Sequence, residues 1–292
     1  MRWAKGAYLR SVSRAFRANP AAVAGLVVFG ALVVCAVCAP LLAPYDPAAS
    51  DLSLRLRGIG TPGHPLGLDG NGRDMLSRLI YGARVSLLTG LVPVAAGGIA
   101  AVPIGLLAGY YERAGTVVMR VMDVLFAFPI VLLGILLAAI LGPGLPNLLA
   151  ALTVVVIPYT ARVVFVETVL SKHLGFVEAA RALGASDRRI IAGQLLPQVL
   201  SAAVVYSMTI VGAISIAAAG LSFLGLGIQP PTADWGLMTS DGRNVLNLAP
   251  HVSTLPGVAI CVMVISLNMM GDGVRAALDP LLRANAALEG RR

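Results

Sequence analysis

The sequence predicts an all-α, polytopic membrane protein with six transmembrane helices and one cytoplasmic helix-turn-helix loop. Three observations carry that prediction. Only 12% of the 292 residues are charged, against roughly 25% in soluble domains. The mean hydropathy is +0.85. Apolar runs near the roughly 20 residues needed to cross the hydrocarbon core occur at 21–44, 85–110, 117–141, 147–170, 199–227 and 252–271.

The N-terminal arm, 1–20, holds Arg2, Lys5, Arg10, Arg14 and Arg17 and no acid. Basic residues beside a span stay in the cytoplasm, so the arm is expected inside. Trp3, Tyr8, Val12 and Phe16 recur at roughly helical spacing, which suits either a short interfacial helix or a solvated basic arm. Span one, 21–44, follows a basic stretch as a signal peptide would. It is too long for one and has no small-x-small cleavage site at its end, so it is expected to be retained. Cys35 and Cys38 form a C-x-x-C inside this span, where a zinc or redox site has neither water nor partners. They are expected to be apolar fillers, like Cys261 in span six.

Residues 45–84 form the long extracytoplasmic loop, rich in Pro and Gly and then amphipathic from Asp74 to Tyr81, where a surface helix is expected. Gly58, Gly60 and Gly63 satisfy G-x-G-x-x-G, but Pro62 sits in the turn and no strand or helix flanks it as a dinucleotide site requires. The run from Asp69 to Asp74 resembles a calcium loop, yet Arg73 takes a ligand position and the distal Glu is missing. Turn chemistry explains it better.

The region 85–271 holds the remaining five spans. Pro93, Pro103, Pro129 and Pro158 lie inside them, which a multi-helix bundle tolerates because neighbours satisfy the freed backbone groups. Gly105 and Gly109 make a G-x-x-x-G, a place where another helix can approach closely. Arg120, Asp123, Arg162 and Glu167 interrupt spans three and four, each expected within about two turns of a span end. Arg120 and Asp123 are three apart on one helical face and are expected to form an intrahelical ion pair. Arg162 and Glu167 are expected to meet other helices. The tail, 272–292, falls inside with the loops after spans two and four, and basic residues favour that side. The net charge of +8 is therefore assigned to topology and anionic lipid, not to nucleic acid.

Catalytic constellations are not apparent. There is no G-x-x-x-x-G-K-[ST] phosphate loop, and His64, His173 and His251 are isolated from one another and from other metal-ligating residues. No catalytic residue and no metal site is assigned. Ser222 is the nearest candidate nucleophile, with no histidine in a neighbouring span to act as base.

The stretch VEAARALGASDRRIIAGQLLP, 177–197, is charged and helix-prone between two apolar spans. Residues 176–183 favour a helix that Gly184 stops. Ser186 or Asp187 can cap a second short helix with an apolar stripe of Ile190, Ile191 and Leu195, which Pro197 is expected to close. On physical grounds alone, the result is either a solvated loop or a docking element.

Glu178-Ala179-Ala180, Gly184 and Leu196-Pro197 resemble the coupling-loop pattern of permease subunits of ATP-binding-cassette importers, departing from it at Gln194. The segments His64 to Leu87 and Leu221 to Gly236 resemble the second, C-type permease of the oligopeptide and dipeptide branch. The resemblance covers about 15–280 and implies a non-catalytic subunit forming half of a pathway. It implies a distinct second permease, ATPase subunits that bind ATP and Mg, an extracytoplasmic binding protein, and no cofactor in this chain. It assigns ATPase coupling to Glu178, Ala179, Ala180, Gly184, Asp187, Arg188, Leu196 and Pro197 of the 172–197 loop. Asp234 and Trp235 are candidates for docking the binding protein. Branch members also handle nickel or glutathione, and a stand-alone channel or secondary transporter is the alternative class.

Overall fold

The computed structural model describes residues 13–278. Trp3, Tyr8 and Val12 of the arm, and the tail from 279 onward, lie outside them. Asn19 caps helix α1 (Pro20–Val37), its side chain accepting from Ala22 N, with Pro20 where no N–H is needed. α1 ends before the expected residue 44. Pro40 has no N–H for the Ala36 carbonyl, and a separate turn, Ala39–Leu42, follows. Arg84 supplies the missing donors, to Ala36 O through Nε and to Val37 O through Nη2.

Helix α2 (Met75–Tyr110) starts well before the expected span, with Asp74 as its cap accepting from Ser77 N at 2.7 Å. Its 36 residues extend about 54 Å at 1.5 Å per residue, longer than the hydrocarbon core. The expected surface helix at 74–81 is instead the head of α2. Met75, Ser77 and Arg78 are buried there against the preceding loop.

The expected third span, 117–141, is two helices, α3 (Glu112–Phe126) and α4 (Ile130–Leu141), bent by 92°. Pro129 explains the break: it lacks an N–H and its ring pushes Phe128 out of helical geometry. α5 (Leu145–Ser171) carries Pro158 without a break. α6 (Gly175–Ala182), α7 (Asp187–Ile190), a π turn over Ile191–Leu195 and α8 (Leu196–Phe223) follow. Pro197 does not close a helix here. It lies in the first turn of α8, where its missing N–H does no harm, and the chain runs as one apolar segment from Asp187 to Phe223. α9 (Trp235–Arg243) and α10 (His251–Leu278) complete the order.

Among the described residues, five helices are long and apolar enough to cross a membrane, six if the bent pair counts as one. The described residues contain only the isolated bridges Thr61 to His64 and Leu68 to Asp74. The main core lies between α2, α5, α8 and α10 and includes Val94, Leu152, Val155, Ile214, Leu221 and Leu267. The G-x-x-x-G of α2 packs on α5: a Cβ on Gly105 would press on Ala161 O and stand 2.8 Å from Val164 Cβ, and one on Gly109 would stand 2.6 Å from Thr168 Cβ.

Candidate docking loop, membrane ion pair and arginine brace

The 172–197 loop is folded, and its sequence explains why. Gly184, at φ +78°, ends α6 in the left-handed region that favours glycine. Ala185 N donates to Ala180 O and Gly184 N to Arg181 O, the two bonds of a Schellman cap. Val177, Ile190 and Leu195 are fully buried with Leu106 of α2, Val164 of α5 and Val199 of α8, a small second core beneath the loop. Ser186 occupies the cap position of α7 without a side-chain bond. The Asp187 carboxylate is engaged elsewhere: Tyr110 Oη donates to it at 2.6 Å and Tyr111 Oη at 3.4 Å, tying the loop to the end of α2.

The loop's underside is thus occupied while its outer side is open. Glu178, Ala179, Gly184, Arg188 and Pro197 are exposed, Ala180 and Leu196 partly so. Leu183 is 88% exposed, and Leu174 and Phe176 are also open. At the same end of the bundle, Lys172 Nζ pairs with Glu112 Oε1 at 3.1 Å, holding the end of α5 to the start of α3.

The membrane charges pair differently from the expectation. Asp123 Oδ1 accepts from Arg162 Nη2 at 2.7 Å, so α3 is joined to α5, while Arg120 is exposed with no ion-pair partner among the described residues. Position three on a helix gives Arg120 proximity to Asp123, but α5 brings Arg162 alongside, and its planar guanidinium also lies 5.1 Å from the Phe126 ring centroid. Arg162 meets another helix as expected. Glu167 stays within its own helix, 3.5 Å from Ser171 Oγ. α3 begins at Glu112 rather than 117, so Asp123 lies about three turns from that end and within one turn of the bend after Phe126.

At the opposite end, Asp234 and Trp235 are each only 2% exposed and form no docking surface. Asp234 caps α9, accepting from Leu237 N and from Ser86 Oγ of α2. Trp235 Nε1 donates to Leu79 O at 2.9 Å, with its ring over Gly82. Both residues staple α9 to α2. Burial pushes the Asp234 carboxyl above its ordinary range, against the hydrogen bonds that pull it down.

Beside them is a brace that sequence reasoning missed. Asp69 Oδ2 accepts from Arg73 Nε at 2.7 Å and lies 3.4 Å from Arg78 Nε. Arg73 also reaches Asp241 of α9 at 3.6 Å, and Arg78 Nη1 donates to Pro47 O and Pro231 O. Asp69 Oδ1 further accepts from Asn71 N and Arg73 N, so the calcium-like run is turn chemistry locked by arginine. The spacing of Asp69 and Arg73 was the available signal; nothing local pointed to Asp241.

Residues 101–284 match the family described as binding-protein-dependent transport system inner membrane component. The chain belongs to that family. Residues 7–58 match the N-terminal transmembrane domain of oligopeptide transport permease C. Among curated relatives of this permease, the glutathione transport system permease GsiD of Pectobacterium atrosepticum is 42% identical, covering 93% of this chain and 90% of the relative. The di/tripeptide transport system permease DppC of Pseudomonas aeruginosa is 41% identical, covering 96% and 94%. The dipeptide permease DppC of Alkalihalophilus pseudofirmus is 38% identical, covering 94% and 90%. Among solved structures, the inward-facing MetNI methionine ABC transporter shares the fold, with a TM-score of 0.59 at 22% identity over 70% of this chain and 97% of that one. The permease is accordingly a multi-pass inner-membrane subunit of an ATP-binding-cassette importer, a kind of complex that joins permease, ATPase and substrate-binding protein.

Proposed function

We infer that this permease forms half of the membrane pathway for oligopeptides or dipeptides, glutathione among them, and takes its drive from a cytoplasmic ATPase through the 172–197 loop. The observation that carries this is the loop itself. It has its own core on one side, while its other side leaves Leu183 and Phe176 open to solvent. An ordered loop that holds bulky apolar groups in water is shaped for a partner. Seated in a groove of the ATPase, the loop transmits closure as rigid-body movement, because α7 runs on into α8 and Asp187 is tied to α2.

In this reading Glu178 makes the charged contact, Ala179 and Ala180 allow close approach, Gly184 shapes the turn, and Arg188 and Pro197 flank the seat. The loop end faces the cytoplasm, as do both termini. ATP and Mg bind in the ATPase subunits, and this chain carries no cofactor, metal or catalytic group. The second permease is a different chain, an extracytoplasmic binding protein delivers the peptide, and lipid, not nucleic acid, meets the basic arm. The cargoes named for the relatives share a free ammonium and free carboxylate, which supports a peptide-like substrate over nickel.

The test is reconstitution of the whole importer with Leu183→Asp or Glu178→Ala. Both variants are expected to insert and stay monodisperse while peptide uptake falls more than tenfold and the ATPase co-purifies poorly with Leu183→Asp. Unchanged uptake in both, or gradient-driven uptake by this chain without any ATPase, overturns the reading.

A further inference from the structure

An ion pair at membrane depth that is half open to its surroundings requires a polar neighbour. From Glu112 to Asp123 along α3, and from Arg162 to Ser171 along α5, the rise of 1.5 Å per residue places both charges about 15 Å from the helix ends. The Glu112–Lys172 pair holds those ends level. α5, at 27 residues and about 40 Å, overhangs the roughly 30 Å hydrocarbon core by about 10 Å in all, so a charge about 15 Å from its end falls inside the hydrocarbon region. The Arg162 and Asp123 side chains are nevertheless 46% and 39% exposed. Ionisable groups within spans face a bundle interior or a water-filled cavity and not lipid tails, because desolvation there is costly.

The pair is also incompletely used. Among the described residues only the Nη2 to Oδ1 bond is made, which leaves further guanidinium N–H groups and the second carboxylate oxygen for another ligand. An aromatic wall adjoins it: the Phe126 ring lies under Arg162 and 4.6 Å from the Tyr159 ring. A neutral pair of adjacent opposite charges is complementary to one kind of solute, a zwitterion that brings one carboxylate and one ammonium.

We propose that the Asp123–Arg162 pair faces the aqueous translocation pathway and is an intramembrane point where a zwitterionic peptide is met, its carboxylate at Arg162 and its ammonium at Asp123. The pair opens as the peptide passes and closes behind it, so each charge exchanges one partner for another. This rests on the importer reading above and assigns residues of the pathway to its cargo. A merely structural bond between α3 and α5 is the competing role.

Two measurements on the complete importer in proteoliposomes separate them. In a chain with Cys35, Cys38 and Cys261 replaced by Ala, Asp123→Cys is expected to react with a charged, membrane-impermeant thiol reagent in at least one nucleotide state. Arg162→Gln is then compared with wild type for uptake of a free dipeptide and of a C-terminally amidated analogue that the wild type also transports. Each ratio cancels the preference of the binding protein. The free-to-amidated uptake ratio is expected to fall at least fivefold in Arg162→Gln, with the KM for free dipeptide unchanged. No labelling in any state, or equal loss for both peptides, overturns the proposal. A wild-type importer that takes up neither peptides nor glutathione fails the cargo reading instead, and is seen before any variant is compared.

Discussion

Two glycines on one helix provide a test of how α2 and α5 are held together. At Gly98 the nearest atom to an added Cβ is Ser207 Oγ at 3.5 Å, an ordinary contact. At Gly105 the same Cβ would press on Ala161 O and stand 2.8 Å from Val164 Cβ, against about 3.5–4.0 Å for unstrained carbon pairs. Alanine improves helix propensity over glycine by about 1 kcal/mol at either position. At Gly105 the helices must part by the better part of an ångström, and such overpacking costs about 1–3 kcal/mol. The same substitution therefore carries opposite signs: Gly98→Ala is neutral or stabilising and Gly105→Ala is destabilising. The assay heats the detergent-solubilised permease and measures the fraction that stays monodisperse by fluorescence-detected size exclusion. The expected order of midpoints is Gly98→Ala at or above wild type, and Gly105→Ala below it. A Gly105→Ala midpoint at or above that of Gly98→Ala refutes the argument that close backbone approach holds this interface.

The remaining predictions use the same heating assay. Asp69→Ala leaves Arg73 and Arg78 buried side by side, and stripping a buried pair of one partner costs about 3–5 kcal/mol, so the variant is expected to lose its monodisperse peak well below the wild-type midpoint. Asp234 has its folded pKa raised by burial, so the native state takes up a proton before the unfolded chain does. Stability from this group thus rises as pH falls from the raised pKa to the unfolded value near about 3.9, and declines as pH rises; Asp234→Asn is expected to flatten that dependence when midpoints are compared across pH. Gly184→Ala meets no atom within 4 Å but must hold φ +78°, at a cost of about 1–2 kcal/mol. Faster proteolysis within 175–190, with the midpoint little changed, is the expected result.

The sequence by itself determined the membrane class, because apolar length and scarcity of charge are properties of composition that no packing can reverse. It also determined much of the loop: Gly184 allows the turn, and Ile190 and Leu195 of the expected stripe are buried, whereas Ile191 is only partly covered and Val177 joins the underside because Leu106, Val164 and Val199 of other helices close over it. Tertiary structure decided whatever depends on which helix lies alongside which. Asp123 has a possible partner on its own helix in Arg120, but the nearer and better-shaped donor is Arg162, which α5 brings across. Asp234 and Trp235 follow the order of a surface segment, yet Ser86, Leu79 and Gly82 of α2 enclose them. Arg73 and Arg78 count as loop charges in a one-dimensional reading and are instead buried, because Asp69 and the distant Asp241 neutralise them. Proline shows the same division: at Pro129 the freed Leu125 carbonyl is taken up locally by Phe128 N and the span bends, whereas at Pro40 the distant Arg84 donates to the Ala36 carbonyl left without its helical donor. Local sequence fixes what each segment can form; desolvation and the choice of partner, which depend on neighbours far along the chain, decide what its charges do.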